Sequence, residues 1–410
     1  MVAKRGASPA AYGTMSTVGL FAGIGGLERG LADAGHGTRL LCEIDNAASA
    51  VLTTRFPGVA CVPDARALRR LPEDCDLLVG GFPCQDLSQA GRTEGIAGDS
   101  SSVVLEVFRL LSRKKTRPRW VLLENVSFML KLGQGRALEV IIGQLERLGY
   151  RWAYRTVNSL AFGVPQRRER VFLLASLDGD PRTVLFADET GPPDAATPDP
   201  DKPFGFYWTE GTRGLGAAVD SIPTLKGGST VGIPSPPAIL LPDGRVVTPS
   251  IQDAERLQGF DADWTKPAEF VGRASYRWKL VGNAVTVPVA RWLGQRLKEP
   301  GEYDHSWDSP LPRPGAWPNA AWNMGDGRYA ASTVSTWPVN LARAPFVDFV
   351  RDPALLSAKA TAGFLSRLRK SSLRRPDWFD LGLERHLARM RGAPVPGTAI
   401  TASTENAQRA

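Results

Sequence analysis

The chain has 410 residues, of which 43% are hydrophobic, and its 50 Lys and Arg against 42 Asp and Glu give a formal net charge of +8. The hydrophobic fraction excludes a chain that is disordered throughout, and the length predicts two or three domains. No run of about 18 apolar residues occurs, and residues 1–16 lack the apolar core of a signal peptide. We therefore expect a cytoplasmic protein without a membrane span.

The cysteines and histidines do not indicate a metal site. The four Cys show no CxxC pairing and the three His lie far apart, so we expect no metal. The positive charge weakly favours a polyanionic partner, since neutralised phosphates release counterions, but so small an excess does not identify one.

The region from Thr17 to Ser176 predicts an α/β fold with βαβ units on a parallel sheet, because short apolar runs alternate with amphipathic stretches. The predicted strands are Val18–Phe21, Arg39–Ile44, Val59–Val62, Asp76–Val79, Trp120–Leu123 and Arg170–Ala175. The predicted helices include Leu27–Ala34, Asn46–Arg55, Val103–Ser112 and Gly135–Leu148. Such sheets bind ligands at the carboxyl ends of their strands, so we expect the functional residues there.

Beyond Ser176 the composition changes. Residues 177–249 are rich in Pro, Gly, Asp and Thr, which predicts loops and short strands. Helices are predicted at Ser250–Gln258 and Val285–Lys298. After Glu299 come a stretch with Pro and Trp, a helical segment with clustered basic residues, and a polar tail from about Gly392.

The ends of the first three predicted strands carry residues suited to an adenosine-containing cofactor. The sequence Phe21-Ala22-Gly23-Ile24-Gly25-Gly26 forms a corner where glycines let the backbone approach a ligand. Glu43 follows about 20 residues later, the spacing at which an acid grips a ribose diol. Asp64 follows the third strand and is placed to accept from an adenine amino group. The structural alternatives are a tight corner for the glycines and a capping or surface role for the acids.

A thiol follows the fourth predicted strand, in Gly80-Gly81-Phe82-Pro83-Cys84-Gln85. A free Cys is usually an inert buried residue, and this alternative fits Cys42 and Cys61 on their apolar strands. Cys84 instead lies in a loop at a strand end. A nearby Arg or helix terminus that lowers the pKa of Cys84 would make the reactive thiolate its major form.

Two more motifs are predicted at the same edge of the sheet. Glu124-Asn125-Val126 follows Trp120–Leu123, where desolvation favours a Glu that keeps its proton. Gln166-Arg167-Arg168-Glu169-Arg170 precedes the last strand. A surface charge run is the alternative for the second motif, but guanidiniums at this edge would stabilise a thiolate and a substrate carbonyl oxygen.

Six motifs in this order resemble the C5-cytosine DNA methyltransferases, over about residues 17–298. They are Phe21-Ala22-Gly23-Ile24-Gly25-Gly26, Pro83-Cys84-Gln85, Glu124-Asn125-Val126, Gln166-x-Arg168-x-Arg170, Glu255-Arg256-Leu257-Gln258-Gly259-Phe260 and Gly282-Asn283-Ala284-Val285. The resemblance implies a Rossmann-like α/β sheet that uses S-adenosylmethionine, with a small loop-rich DNA-facing domain and a C-terminal extension.

The resemblance also implies the catalytic roles. Cys84 adds to C6 of a flipped cytosine, and Glu124 holds or donates a proton at N3. Arg168 and Arg170 contact the O2 atom of the base and the anionic groups of the site. C5 then takes the methyl group, loses its proton and eliminates Cys84.

The implied cofactor site places Phe21 and Ile44 against adenine, Glu43 on the ribose, Asp64 on the adenine amino group and the glycines near the amino-acid moiety. Its residues are Phe21, Ala22, Gly23, Gly25, Gly26, Glu43, Ile44, Asp64, Pro83, Val104, Asn283 and Val285. Because Asn283 lies far along the chain, we expect the helix near residues 286–298 to pack against the first helix.

The implied catalytic domain comprises residues 17–177 and 275–298, with residues 178–274 facing DNA and residues 299–391 as an extension. Residues 1–16 and 392–410 are expected to be flexible. The family usually places target recognition between the Gln166–Arg170 and Glu255–Phe260 motifs, and Pro223-Thr224-Leu225 resembles the start of a further family motif within that interval. Only about 45 residues separate Leu177 from this point, which is short for a recognition module. We therefore expect residues 299–391 to supply DNA contacts, the alternative being a stabilising or partner-docking extension. The predicted DNA-binding residues are Gln85, Ser88, Arg367, Arg369, Lys370, Arg374 and Arg375.

Two positions depart from the family pattern: Gly19 replaces an acid found in many relatives, and Ser101 stands where an Arg is frequent. The leading hypothesis is a monomeric methyltransferase of double-stranded DNA in a restriction-modification or related defence system, with a cognate restriction endonuclease as a further partner. A tRNA cytosine-C5 methyltransferase is the second hypothesis and a catalytically silent DNA-binding protein the third. A nicotinamide dehydrogenase would share the glycine turn but would leave Cys84 and Glu124 unexplained.

Overall fold

The computed structural model describes residues 11–82, 103–210, 212, 214–227, 235–311 and 317–394. The strands are β1 (Ser16–Leu20), β2 (Gly37–Cys42), β3 (Ala60–Val62), β4 (Leu77–Gly81), β5 (Trp120–Val126), β6 (Arg151–Asn158), β7 (Gln166–Arg167), β8 (Glu169–Ser176), β9 (Phe204–Phe206), β10 (Ala218–Val219), β11 (Ile222–Pro223), β12 (Ala238–Leu240), β13 (Val246–Thr248), β14 (Ser309–Pro310), β15 (Ala320–Asn323), β16 (Arg328–Ala330) and β17 (Ala354–Leu355).

The α-helices are α1 (Gly26–Asp33), α2 (Asn46–Arg55), α3 (Val103–Leu111), α4 (Arg136–Arg147), α5 (Arg182–Leu185), α6 (Ile251–Leu257), α7 (Arg277–Asn283), α8 (Val287–Lys298), α9 (Phe346–Phe349), α10 (Ala358–Arg369) and α11 (Asp377–Arg391). Short 3₁₀ helices lie at Ala65–Ala67, Lys114–Thr116, Ser127–Leu130, Ser159–Phe162, Lys266–Phe270 and Ala274–Tyr276. Within the described ranges, no helix combines the length and apolar character that crossing a bilayer requires.

The first of two compact units comprises Met1–Ala195, Thr224–Ser235 and Ser250–Asp352. It contains a ten-stranded sheet in the order β14-β16-β15-β6-β8-β5-β4-β1-β2-β3. Strands β3, β2, β1, β4 and β5 are parallel, whereas β8 runs antiparallel to both β5 and β6. The carboxyl ends of the five parallel strands therefore share one edge, as the sequence predicts.

The middle strands are continuous apolar runs because helices cover both faces of the sheet. Along β4, Leu78 joins a core that includes residues of α3 and α4, while Leu77 and Val79 join a core that includes residues of α1 and α8. All three side chains are fully buried. This double burial fixes the position of β4 in the sheet.

The predicted strands and helices of this unit are confirmed, with ends displaced by at most three residues. The sequence does not predict β6, because its run Arg-Trp-Ala-Tyr-Arg-Thr-Val-Asn mixes polar and apolar side chains. Arg155 in this strand is fully buried, and its guanidinium donates to the carbonyl oxygens of Leu185, Asp188 and Ser335 at 2.7 to 2.9 Å. These hydrogen bonds compensate the free-energy cost of burying a charged guanidinium.

The second unit comprises Ala196–Pro223, Pro236–Pro249 and Pro353–Ala410. Its antiparallel sheet has the order β10-β9-β12-β13-β17. The strands are only two or three residues long, so much of the core comes from the helices. Phe364 of α10 and Phe379 of α11 pack on Phe206 of β9, with ring centroids 5.0 and 4.9 Å away.

These units do not coincide with the predicted domain boundaries. Residues 178–274 are divided between the two units. Residues 299–352 belong to the first, where β14, β15 and β16 extend the central sheet, and residues from Pro353 onward belong to the second. The difference arises because β17 pairs with β13, more than 100 residues earlier in the chain, a contact that local sequence patterns do not encode.

Candidate active site

The glycine turn, residues 21–26, lies between β1 and α1 and is held by the acid that follows β2. Gly23 has a φ of 57°, and its N–H donates to Glu43 Oε2 over 2.7 Å. The Asp45 N–H donates to Glu43 Oε1 over 2.8 Å. A Cβ placed on Gly23 would meet no described atom within 4 Å, so this point of the turn faces open room. Each Glu43 oxygen retains a lone pair for an outside donor.

The residues around this room have features of a ligand site. Phe21 has a φ of 54°, a region that residues other than glycine rarely adopt. Ile44 is apolar yet 65% exposed. Burial raises the pKa of Glu43, although the hydrogen bonds from Asp45 and Gly23 oppose the change. An exposed apolar side chain and a partly desolvated carboxyl thus flank one backbone turn.

Neighbouring elements fix the glycine turn in place. The Ala22 N–H donates to the carbonyl of Cys42 over 3.1 Å. A Cβ on Gly25 would lie 2.4 Å from the ring of Phe56, the residue after α2, so no side chain fits there. Trp264 Nε1 donates to the carbonyl of Ile24 over 2.9 Å.

Helix α8 packs closely on α1 and brings the Asn283 segment to the turn. A Cβ on Gly26 would lie 2.6 Å from the Val285 carbonyl oxygen, and one on Gly30 would lie 2.4 Å from Ala290 Cβ. The predicted return of residues 286–298 to the first helix is confirmed. Val285 is buried at this contact and Asn283 is exposed.

The other predicted cofactor residues differ in exposure. Asp64 pairs with Arg66 Nη2 at 2.9 Å, and hydrogen bonds from Arg66 hold the pKa of Asp64 below its usual range. Val104 on α3 is fully buried in the core. The predicted residues that lie outside the described ranges are Pro83, Cys84, Gln85 and Ser88.

Glu124 of β5 lies beside the last described residues of β4. The two strands pair with Gly81 opposite Glu124, and a Cβ on Gly81 would lie 3.2 Å from Glu124 Oε2. Asn125 Nδ2 donates to the Phe82 carbonyl over 2.9 Å. The chain therefore runs past Glu124 two residues before Cys84 in sequence.

The Glu124 carboxyl is buried against an arginine. Only 7% of the residue is exposed, and its Oε1 lies 3.1 Å from Arg170 Nε. Burial raises the pKa of Glu124, and Arg170 and then Arg168 oppose this change. Since burial is the larger effect, Glu124 keeps its proton to a higher pH than an exposed Glu would.

Arg168 occupies a different environment from Arg170. It is 1% exposed, and its Nη1 and Nη2 donate to the carbonyl oxygens of Leu225, Gly282 and Ala284 at 2.8 to 3.2 Å. These carbonyls belong to Pro223-Thr224-Leu225 and to the motif Gly282-Asn283-Ala284-Val285. Arg168 therefore joins three chain segments, whereas Arg170 lies against the candidate acid.

Two glutamines continue this buried arrangement. Gln166 Nε2 donates to the Gln258 side chain and to the Leu257 carbonyl, each over 3.0 Å. Gln258 Nε2 donates to the carbonyls of Val281 and Ala284, and its Oε1 accepts from Thr286 Oγ1. We call Gln166, Arg168, Gln258 and Thr286 the glutamine network. The sequence signal for Gln258 is a polar amide directly after the apolar Leu257 in the Glu255–Phe260 motif. The structure shows that Leu257 is fully buried.

The predicted basic cluster lies in the second unit, at the end of α10 and just beyond it. Arg369, Lys370 and Arg374 are exposed. Arg369 pairs with Glu384, and Arg375 pairs with Asp380 at 2.6 Å. Arg367 Nη2 donates to the Trp208 carbonyl over 2.9 Å. The cluster therefore contains both exposed cations and cations that already have partners.

Comparison with known proteins adds independent information. Residues 15–203 match the family described as C-5 cytosine-specific DNA methylase. The Type II methyltransferase M2.BsuMI of Bacillus subtilis (strain 168) is 46% identical over 383 residues, which cover 90% of this chain and 98% of the relative. The Type II methyltransferase M.NlaX of Neisseria lactamica is 30% identical over 311 residues, covering 68% and 95%.

The crystal structure of the S. pombe Dnmt2 methyltransferase is similar with a TM-score of 0.50 and 17% identity, over 69% of this chain and 98% of that chain. That likeness shows the α/β methyltransferase fold alone. The similarity in sequence shows an S-adenosylmethionine-dependent enzyme that methylates C5 of cytosine in DNA. The chain belongs to the C-5 cytosine-specific DNA methylase family.

Proposed function

We propose that Cys84 is the nucleophile of this methyltransferase and that Glu124 is the acid at N3 of the cytosine. The observation that carries the proposal is the buried Glu124 carboxyl, whose pKa is raised, at the edge where β4 leads toward Cys84. Asn125, the neighbour of Glu124, donates to the Phe82 carbonyl, and Phe82 precedes Cys84 by two residues in sequence. This closeness in sequence supports the proposal that the two reacting groups meet at adjacent strand ends.

The reaction starts with addition, because C5 of cytosine is a weak nucleophile. The Cys84 thiolate bonds to C6, and the displaced electrons end on N3, which takes the proton of Glu124. Arg170 stabilises the carboxylate that remains. After C5 has gained the methyl group, a base removes the C5 proton and the C6–S bond breaks. Cys84 leaves as thiolate, and Glu124 recovers its proton from N3.

The glycine turn and its neighbours fit S-adenosylmethionine, which supplies an electrophilic methyl group when bound. The open room at Gly23 admits a ligand against the backbone, and the remaining lone pairs of Glu43 suit ribose hydroxyls. Exposed Ile44 offers an apolar surface for adenine. The residues proposed to hold the cofactor are Phe21, Ala22, Gly23, Gly25, Gly26, Glu43, Ile44, Asp64, Pro83, Val104, Asn283 and Val285.

Arg168 has a positioning role in this proposal. Its guanidinium donors bind backbone carbonyls on both sides of Asn283, so it holds the segment that abuts the glycine turn. Arg170 remains the arginine that contacts a catalytic group. The two arginines that the resemblance groups together thus act in different ways.

We propose that the second unit recognises DNA. Residues 353–394 carry nine Lys and Arg against three Asp and Glu, which gives this part a local excess of positive charge. Arg369, Lys370 and Arg391 line a cavity of about 390 Å³ on α10 and α11. Cations grouped in this way suit contacts to DNA phosphates. The target cytosine must leave the duplex to react, at a cost of roughly a few kcal/mol. Gln85 and Ser88 are proposed to contact DNA near the extruded base.

The relatives suggest a biological role. Both sequence relatives described above carry the name Type II methyltransferase, so we propose that this enzyme modifies host DNA against a cognate restriction endonuclease. We propose that it acts as a monomer in the cytoplasm. The tRNA hypothesis is not favoured, because the matching family is a DNA methylase family.

Replacement of the nucleophile tests the proposal. Cys84→Ala should reduce turnover by at least about 10³-fold while S-adenosylmethionine binding persists, because only bond formation to C6 is lost. Cys75→Ala, at a buried Cys that has no assigned role, is the control and should retain turnover. Methylation by Cys84→Ala at the wild-type rate would refute the assignment.

A further inference from the structure

Glu28 is a buried carboxyl that the proposed mechanism does not use. It lies in the first turn of α1, directly after the glycine turn, and is 1% exposed. Its Oε2 has no hydrogen-bond partner among the described residues. The sequence signal is an acid placed three residues before buried Leu31, on the apolar face of the helix.

The carboxyl fills a space that Gly19 leaves open. A Cβ on Gly19 would lie 2.0 Å from Glu28 Oε1 and 3.2 Å from Leu41 Cδ2. Any side chain at position 19 would therefore displace Glu28. Helix α1 thus places an acid beside β1 where the strand itself has no side chain.

Glu28 forms no ion pair with a cation among the described residues. The charged group that shifts its pKa is another acid, Glu43, which follows β2. Burial raises the pKa of Glu28 to about 7, its own backbone N–H lowers it, and Glu43 raises it further. In the described part of the chain, neither carboxyl takes part in an ion pair. Two neighbouring buried acids without a counter-ion are unfavourable until a positive charge arrives.

We propose that Glu28 is the counter-ion for a positive charge of the bound cofactor and that it releases a proton when the cofactor binds. This inference rests on the proposed placement of S-adenosylmethionine at the glycine turn. The cofactor carries two cations, a sulfonium and an α-ammonium group. Either cation replaces the proton on Glu28, so the carboxyl becomes an anion and one proton passes to the buffer.

Isothermal titration in buffers of different ionisation enthalpy measures this proton directly. Near pH 6.5, wild-type protein should release about 0.5 to 1 proton more than Glu28→Gln on binding S-adenosylmethionine, since a group of pKa about 7 is mostly protonated there. The variant has the shape of the protonated side chain and should fold normally. Glu73→Gln, at an exposed acid, should match the wild type.

Three ligands separate the possible sources of the charge. S-adenosylhomocysteine has the ammonium but no sulfonium, and methylthioadenosine has neither. If wild type releases the extra proton on binding S-adenosylhomocysteine, the ammonium is the group that pairs with Glu28. If the extra proton appears only with S-adenosylmethionine, the sulfonium is that group. Methylthioadenosine should give the same proton count in wild type and Glu28→Gln, because it reaches Glu43 without bringing a cation.

Equal proton release by wild type and Glu28→Gln with S-adenosylmethionine would overturn the inference. Greater proton release by wild type than by Glu28→Gln on binding methylthioadenosine would also overturn it, because that ligand carries no cation. Failure of the proposed cofactor placement has a separate signature. In that case Glu43→Gln would bind S-adenosylmethionine as tightly as the wild type does.

Discussion

The glutamine network and the two acids Glu28 and Glu124 are buried to a similar degree, but their hydrogen bonding differs. In the network, the amides of Gln166 and Gln258 and the guanidinium of Arg168 donate to carbonyl groups. Glu28 has an oxygen without a described partner, and burial raises the pKa of both acids. The two glutamine amides, whose donors and acceptors are both used, hold a frame. A buried acid whose pKa is raised instead retains a capacity to bind a cation or to exchange a proton.

Among these buried groups, substitution of Glu124 should have the largest effect on turnover. Glu124→Gln keeps the side-chain shape but removes the acid, so we expect kcat to fall by about 10²- to 10⁴-fold with little loss of folding stability. Steady-state kinetics and thermal unfolding together check this expectation.

The pH profile of wild-type turnover supplies a second test of Glu124. Because burial raises the folded pKa of Glu124, the protonated form that donates to N3 persists to a higher pH than it would in an exposed Glu, and the activity limb due to this group should fall as pH rises through the raised pKa. Unchanged kcat in Glu124→Gln would place the acid elsewhere.

Arg168 and Arg170 sharpen the contrast within a single motif. Arg168→Met should lower the free energy of unfolding by about 2 to 4 kcal/mol, because three buried carbonyls lose their donor. Arg170→Met should mainly lower kcat, because Arg170 faces Glu124. Denaturant unfolding and turnover, measured on both variants, should give opposite rankings, and identical rankings would contradict the division.

The titration of Glu28 should make the free energy of unfolding depend on pH. Its pKa of about 7 in the folded protein lies above the ordinary value of 4.5, so the folded state binds the additional proton between these values. Stability from this group is therefore present at acid pH and is lost as pH rises through 7. Glu28→Gln should be more stable than the wild type by about 2 to 3 kcal/mol near pH 8 and no more stable near pH 4.5. A constant difference across this range would show that no titration of Glu28 is involved.

The smallest effect concerns the basic cluster. Arg374 is exposed, whereas adjacent Arg375 pairs with Asp380. Arg374→Gln should weaken DNA binding a few-fold and reduce the slope of log affinity against log salt by about one, as for loss of one phosphate contact. Arg375→Gln should change that slope less. Equal slopes for wild type and Arg374→Gln would remove this residue from the DNA surface.

The sequence predicts those parts of the molecule in which local pattern and burial agree. The apolar run of β4 predicts its position in the middle of the sheet, and the glycines at residues 23–26 predict a tight turn beside Glu43. It does not predict β6, since the burial of Arg155 depends on distant carbonyls and on Glu189, which satisfy its guanidinium. Nor does it separate Arg168 from Arg170, two residues apart, because their roles depend on which segments fold against them.

Long-range assembly limits sequence prediction for the second unit as well. The pairing of β13 with β17 joins segments that sequence reading assigns to different domains. Glu28 is a similar case on a smaller scale. Its importance arises from the empty position at Gly19, nine residues earlier on another element.

Covalent capture tests the central claim, attack of Cys84 on C6, most directly. In duplex DNA that contains 5-fluorocytosine, fluorine replaces the C5 proton and cannot leave as that proton does, so the enzyme should stop after addition and methyl transfer. With S-adenosylmethionine present, we expect a denaturant-resistant enzyme–DNA complex in which mass spectrometry locates the link on Cys84. Attachment at another residue, or capture of the Cys84→Ala variant at the wild-type yield, would contradict the account.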